Sequence, residues 1–182
     1  MCLLAQHITY YDRLKPYTKG GRMLMLGNQY NHTNLNPNDL FGTIEYKTLD
    51  PDGGDYTNDI QGDLSFMEQH WDSVFNLGTL EHIWDIHTGY SNAAKLVKVG
   101  GYFIGHAPVE HYPNHGVHVT TGDAIIKFFQ INGFEHVHEF SYVDTRPTAG
   151  RILWHVAKKI EHVTEFKRPQ QVWVNGRTSH YE

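Results

Sequence analysis

The sequence predicts an α/β domain: a mostly parallel, twisted sheet flanked by helices, with an antiparallel edge. Residues 71–108 carry the first observation behind that prediction. Trp71-Asp72 opens the apolar run Ser73 to Leu77, which is short and lacks clean alternation, so it reads as a strand buried on both faces. A helix-compatible stretch from Thr79 to Val99 follows, and Tyr102 to Gly105 resumes as a strand. Strand, crossover and strand in this length make a βαβ unit, which must be parallel and is almost always right-handed. The second observation is the run Arg22 to Leu26, ending at Gly27, which suits a first and central strand. The third is the pair of runs Phe134 to Val143 and Ile152 to Lys158, separated by the turn Arg146-Pro147-Thr148-Ala149-Gly150. They read as an antiparallel pair at one end of the sheet.

Taken in order, Leu3, Leu4, Ile8, Tyr11 and Leu14 form the apolar face of an amphipathic helix from Leu3 to Tyr17, closed by Pro16 and Gly20-Gly21. His32 to Asn38 is polar, rich in Asn and contains Pro37, so the helix after the first strand should be short or irregular, with a brief turn over Asp39 to Gly42. Thr43 to Leu49 alternates as a strand, with Ile44, Tyr46 and Thr48 on one side and Asp50 at its carboxyl end. Asp50-Pro51-Asp52-Gly53-Gly54 is also composed of the residues that turns prefer. Tyr56 to Ile60 is the candidate third strand, and Leu64, Phe66 and Met67 lead from it to Trp71. Within the crossover, His87-Thr88-Gly89 divides the helical stretch into two pieces, and Gly100-Gly101 stops it at a left-handed position. A loop after Pro108 runs to an N-cap at Thr120 or Thr121, and the helix Ala124 to Ile131 buries Ile125, Phe128 and Phe129 before Asn132-Gly133 ends it. The tail beyond Ile160 is polar apart from Val172-Trp173-Val174, which reads as an extra strand, a surface arm or an oligomer contact.

The 182 residues suit one domain, read here as residues 1–160 with a C-terminal tail or arm over 161–182. A net charge of −5 with no Lys/Arg cluster argues against nucleic acid as a partner and leaves a small-molecule substrate or another protein. The tail offers a contact for a protein or a second copy. One cysteine, Cys2, excludes an internal disulfide framework and is compatible with a reducing compartment, so a cytoplasmic location is expected. The first residues are too short an apolar run for a signal peptide, and no run of apolar residues reaches the length of a membrane span. Fourteen histidines invite a metal site, and His106, His111, His115 and His118 lie in one strand end and loop. No His-x3-His pair falls on a helix there and no carboxylate completes a ligand pattern, so no metal is expected.

The string D-S-V-F-N-L-G-T-L-E-H-I, the amphipathic helix after it, K-V-G-G-Y-F-I and the following proline resemble, in order and spacing, the middle of the class I S-adenosylmethionine-dependent methyltransferases of the small, type 11 kind. G-F-E at Gly133 to Glu135 and H-G-x-x-x-T at His115 to Thr120 are similar to the same family. The resemblance covers roughly Arg22 to Lys158 and is densest from Trp71 to Pro108. It implies a Rossmann-like methyltransferase fold, S-adenosylmethionine as cofactor and methyl transfer to a small-molecule or sugar-like acceptor.

In that family the first strand leads into a glycine-rich turn close to the cofactor, which places Gly27 and Asn28 on the cofactor side. The resemblance further puts Asp50 at the ribose diol, where a carboxylate accepts from both hydroxyls, and Asp59 and Ile60 by the adenine, with Asp63 the rival of Asp59. Leu77 closes the cofactor side. Glu81, His82, His106 and His111 lie where they would face an acceptor and take its proton, although Glu81 and His82 equally suit a loop held by hydrogen bonds. The turn Gly27-Asn28-Gln29-Tyr30-Asn31 departs from the family, with one glycine where two or three are usual. The sequence therefore also supports an alternative, a methyltransferase-like domain without catalysis that acts as a structural or protein-binding module.

Overall fold

A computed structural model describes residues 2–3, 8–27, 30–31, 35–110, 116–143, 150–174 and 177–181. The strands are β1 (Cys2–Leu3), β2 (Arg22–Leu26), β3 (Tyr30–Asn31), β4 (Glu45–Leu49), β5 (Trp71–Leu77), β6 (Val97–Glu110), β7 (Phe134–Val143), β8 (Arg151–Lys159), β9 (Gln171–Val174) and β10 (Arg177–Tyr181). The helices are α1 (Ile8–Thr18), α2 (Pro37–Phe41), α3 (Ile86–Leu96) and α4 (Gly122–Gln130). Six strands form one sheet in the order β4-β2-β5-β6-β8-β7. The first four run parallel, and β8 and β7 add an antiparallel edge, as the sequence predicts. β1 pairs with β3, and β9 with β10, in two small separate ribbons.

Alternation along the buried strands sorts the core into two layers. Met23 and Met25 of β2, with Phe75 and Leu77 of β5 and Ile104 of β6, pack against Tyr11 and Leu14 of α1 and Phe41 of α2. Leu24, Leu26, Val74 and Phe103 point the other way, to Tyr90, Ala93 and Ala94 of α3 and Phe128 and Phe129 of α4. Burying each of the larger side chains contributes on the order of 1.5–3 kcal/mol, so these two layers hold the sheet between its helices.

Four sequence expectations are corrected. The first helix begins at Ile8, not Leu3, and passes through Pro16, because a proline in the last turn removes one hydrogen bond while Thr18 Oγ1 fastens the helix end to the Phe41 carbonyl at 2.6 Å. The crossover helix stops at Leu96, before Gly100-Gly101, and Val97 is already extended. Lys159, fully buried, donates to the carbonyls of Ala94 at 3.0 Å and Val97 at 2.8 Å, so a side chain from β8 satisfies the helix end that the glycines were expected to close. Gly100 does adopt a left-handed φ of 86°, but inside β6, where pairing with β5 jumps from Trp71↔Val97 to Ser73↔Tyr102.

The third strand does not form. Only a single bridge joins Leu49 to Tyr56, and Asp55 closes the sheet edge by accepting from Thr48 N at 3.0 Å while its own N–H donates to Thr48 Oγ1 at 3.0 Å. Side-chain pairing of this kind satisfies edge groups without a further strand. Finally, Ile44 precedes β4 and is 72% exposed rather than sharing a buried side with Tyr46 and Thr48. Among the described residues no helix is long and apolar enough to cross a membrane.

Candidate cofactor and acceptor site

The carboxyl ends of the parallel strands are tied to one another by a few polar contacts. Where β2 ends, Gly27 turns away with a left-handed φ of 88°, and its N–H donates to the Leu49 carbonyl of β4 at 2.8 Å. The Leu26 carbonyl accepts from Thr79 Oγ1 at 2.8 Å, which binds the β5 tip to β2. Gly78 N donates to the His106 carbonyl at 3.0 Å and so joins β5 to β6.

The turn after β5 is built on Asn76, a fully buried polar residue in an apolar strand. Its Oδ1 accepts from Thr79 N at 2.9 Å and Leu80 N at 3.0 Å, satisfying two donors that open the single 3-10 turn Leu80–His82. Sequence reasoning missed both Asn76 and Thr79. The signal was an Asn inside the run Ser73 to Leu77, where an amide is out of place unless it organises backbone. Asn76→Ala leaves two turn N–H groups unpaired and is expected to cost about 2 kcal/mol or more in urea unfolding. Thr79→Val removes one hydrogen bond and is expected to cost about 1 kcal/mol.

Asp50 sits half-buried at the tip of β4, beside Gly27. Its Oδ1 accepts from Asp52 N at 2.8 Å, so the turn reading of this segment is realised in the same residue that was expected at the ribose. Asp59 is exposed, and its Oδ1 accepts from Gln61 N at 2.8 Å. The Ile60 side chain is buried in the core, and its carbonyl accepts from Asn92 Nδ2 at 2.7 Å. This segment is thus carried by α3 rather than by a strand tip. Asp63 Oδ1 accepts from Ser65 N at 2.9 Å at the start of the 3-10 turn Ser65–Met67. Leu77 is buried on the α1 side. Asn28 and His111 lie outside the described residues.

Glu81 and His82 occupy the turn after β5, Glu81 buried and His82 exposed. The Glu81 carbonyl accepts from Val117 N at 2.7 Å and His118 N at 3.0 Å, and His118 Nε2 lies 2.9 Å from the Trp84 carbonyl, so the loop before α4 is fastened to this turn. Burial pushes the Glu81 carboxyl up to about 7, well above its ordinary value. His106 points to the opposite face. Its ring packs edge-on to Trp154 at 4.5 Å and its Nε2 lies 3.4 Å from the Tyr142 hydroxyl, while Tyr142 stacks on Tyr10 of α1. Glu81 and His82 thus share one turn, the first buried and the second exposed, and His106 lies on the other face of the sheet. Among the described residues no three His, Cys, Asp or Glu side chains converge as metal ligands.

No family model matches the sequence, and no curated protein matches it in sequence at a significant level. Solved structures match it over most of its length. The N-methyltransferase NodS from Bradyrhizobium japonicum, in complex with S-adenosylhomocysteine, has a TM-score of 0.67 at 13% identity, over 86% of this chain and 87% of that one. The complex of the Haloferax volcanii Trm112 methyltransferase activator with a putative methyltransferase gives a chain match at TM-score 0.65 and 16% identity, over 86% and 89%. The 1,6-didemethyltoxoflavin-N1-methyltransferase of Burkholderia thailandensis, with 1,6-didemethyltoxoflavin and S-adenosylhomocysteine bound, matches at TM-score 0.62 and 15% identity, over 87% and 80%.

Proposed function

The chain has the class I methyltransferase fold, and on that premise we propose that it binds S-adenosylmethionine across the tips of β2, β4 and β5 and transfers the methyl group to a small-molecule or sugar-like acceptor. One arrangement supports this reading above the others: Gly27, in left-handed geometry, is hydrogen-bonded to the end of β4 one residue before the Asp50 carboxylate. Backbone without a Cβ beside an acidic strand tip suits a cofactor that brings a ribose diol close to the chain. Gly27, Asn28, Asp50, Asp59, Ile60 and Leu77 are the proposed cofactor side.

When bound, S-adenosylmethionine supplies an electrophilic sulfonium methyl group for in-line displacement by an acceptor lone pair. The chain's part is then to position the acceptor, exclude water and hold a proton. Glu81, with its carboxyl near neutrality in pKa, is suited to exchange a proton at physiological pH. His106, at the tip next to Leu77 and in contact with Tyr142, is the group suited to an acceptor on the α1 side. His82 and His111 complete the proposed acceptor-side set.

Calorimetric titration with S-adenosylmethionine and S-adenosylhomocysteine tests the proposal. Micromolar binding is expected, weakened roughly tenfold or more in Asp50→Ala, since hydrogen bonds to a charged group are worth about 1.5–3 kcal/mol. No heat and no thermal shift at millimolar ligand would sink the enzyme reading. The alternative is a catalytically inactive, structural or protein-binding module, favoured by the missing third strand, which leaves Asp59 in a loop. In that case the C-terminal ribbon of β9 and β10 is the proposed contact for a protein or a second copy.

A further inference from the structure

A cleft of about 290 Å³ lies between α3 and α4, and neither Gly27 nor Asp50 is among its lining residues. Its walls are rings and aliphatic groups, among them His87, Tyr90, Ile125 and Phe128, with Trp84 and Arg168 at its rim. Trp84 is 81% exposed, the most exposed large apolar side chain among the described residues. A large aromatic left in water at the mouth of an apolar cleft is the usual mark of a surface that closes on something.

The cleft is also built, because its cation is delivered by a buried clamp. Asn132, fully buried, accepts from Lys167 N at 2.7 Å and donates to the Lys167 carbonyl at 2.9 Å and the Phe128 carbonyl at 2.7 Å. Phe166 stacks on Phe128 at 6.0 Å. These contacts fix the chain just before Arg168 and set its guanidinium at the cleft. Arg168 is the only Lys or Arg among the described residues lining the cleft, and its charge, after the Thr88 hydrogen bonds, helps hold the Asp85 carboxyl below its usual pKa without a hydrogen bond between the two. The one acid there, Asp85, is already engaged as the cap of α3, accepting from Thr88 N at 3.1 Å and Thr88 Oγ1 at 2.7 Å. Burial, and then the nearby Arg168 charge, hold the His87 imidazole below its usual pKa.

We propose that this cleft is a second small-molecule site, separate from the methyl-donor site, and that it takes a planar aromatic carboxylate, its rings among Trp84, His87 and Phe128 and its carboxylate on Arg168. Aromatic walls favour a flat ring system, and a guanidinium whose N–H groups are not taken up by a hydrogen bond among the described residues favours a carboxylate that can accept from it in bidentate fashion. The volume of about 290 Å³ admits a fused two-ring molecule.

The test is titration of the full chain with 2-naphthoate and, in parallel, with the neutral 2-naphthalenemethanol, followed by amide chemical shifts. Saturable shifts confined to the first turns of α3 and α4 and the segment around Arg168 are expected, with naphthoate at least tenfold tighter than the alcohol. Arg168→Gln should erase that difference, and Trp84→Ala should weaken both ligands. Both side chains are at the surface, so neither change should disturb the fold. Equal affinity for the two probes, naphthoate binding unchanged in Arg168→Gln, or no saturable shift in this region would each overturn the proposal.

Discussion

Gly105→Ala is expected to destabilise the protein by about 3 kcal/mol, a larger effect than any surface substitution here. A Cβ at this position would fall 2.0 Å from His155 Nε2, on the directly paired residue of β8. The imidazole cannot swing away, because it is 1% exposed and packed between Phe103 and Phe129, each 5.5 Å from its centroid. Gly105 is thus the space that His155 fills, although glycine inside a buried strand is otherwise unfavourable. Urea unfolding of Gly105→Ala, His155→Ala and the double variant measures this. The double variant should be less destabilised than the sum of the two, since removing the ring removes the clash. Additive losses would show that the two residues are not in contact in this way.

Glu81→Gln is expected to make the protein more stable at pH 8 by about 3 kcal/mol, with no difference near pH 4. The sign follows from the direction of the shift. The folded-state pKa of about 7 lies above the ordinary 4.5, so the folded protein binds the proton more tightly than the unfolded chain. Stability is then present in full below pH 4.5 and falls as pH rises through the interval to 7, by about 1.4 kcal/mol per unit. His155 has the opposite slope. Burial lowers its pKa from 6.5 to about 3, so its contribution is lost as pH falls below 6.5. Between pH 4.5 and 6.5 the two slopes cancel in the native protein, and Glu81→Gln uncovers the His155 fall. Urea midpoints from pH 4 to pH 8 check both. A variant less stable than the parent at pH 8 would mean that Glu81 is held ionised.

The stretch Trp71 to Pro108 was legible because its pattern is local: a doubly buried strand, a crossover and a second strand can be read from length and apolarity. The same holds for β2 and for the antiparallel edge. What was not legible depends on contacts distant in sequence. Lys159, from β8, closes α3, so the glycine pair at residues 100–101 looked like a helix stop that it is not. Asp55 and Thr48 satisfy each other at the sheet edge, which removes the need for a third strand and leaves Asp59 in a loop.

The candidate site shows the same division. Gly27 and Asp50 could be placed at strand tips from the alternation of apolar runs and turns. That His106 faces Tyr142 and Trp154, away from Glu81, follows from strand parity across three strands, which the linear spacing of the histidines does not carry. Asn76, the residue that organises the turn after β5, was hidden because a single polar residue in a buried strand has no pattern of its own.

The most direct measurement is an amide-resolved NMR titration of the full chain with S-adenosylhomocysteine. Saturable shifts at Gly27, Asp50, Gly78 and Thr79, at micromolar ligand, are the predicted result. No shifts up to millimolar ligand, or saturable shifts confined to residues away from these strand tips, would contradict it.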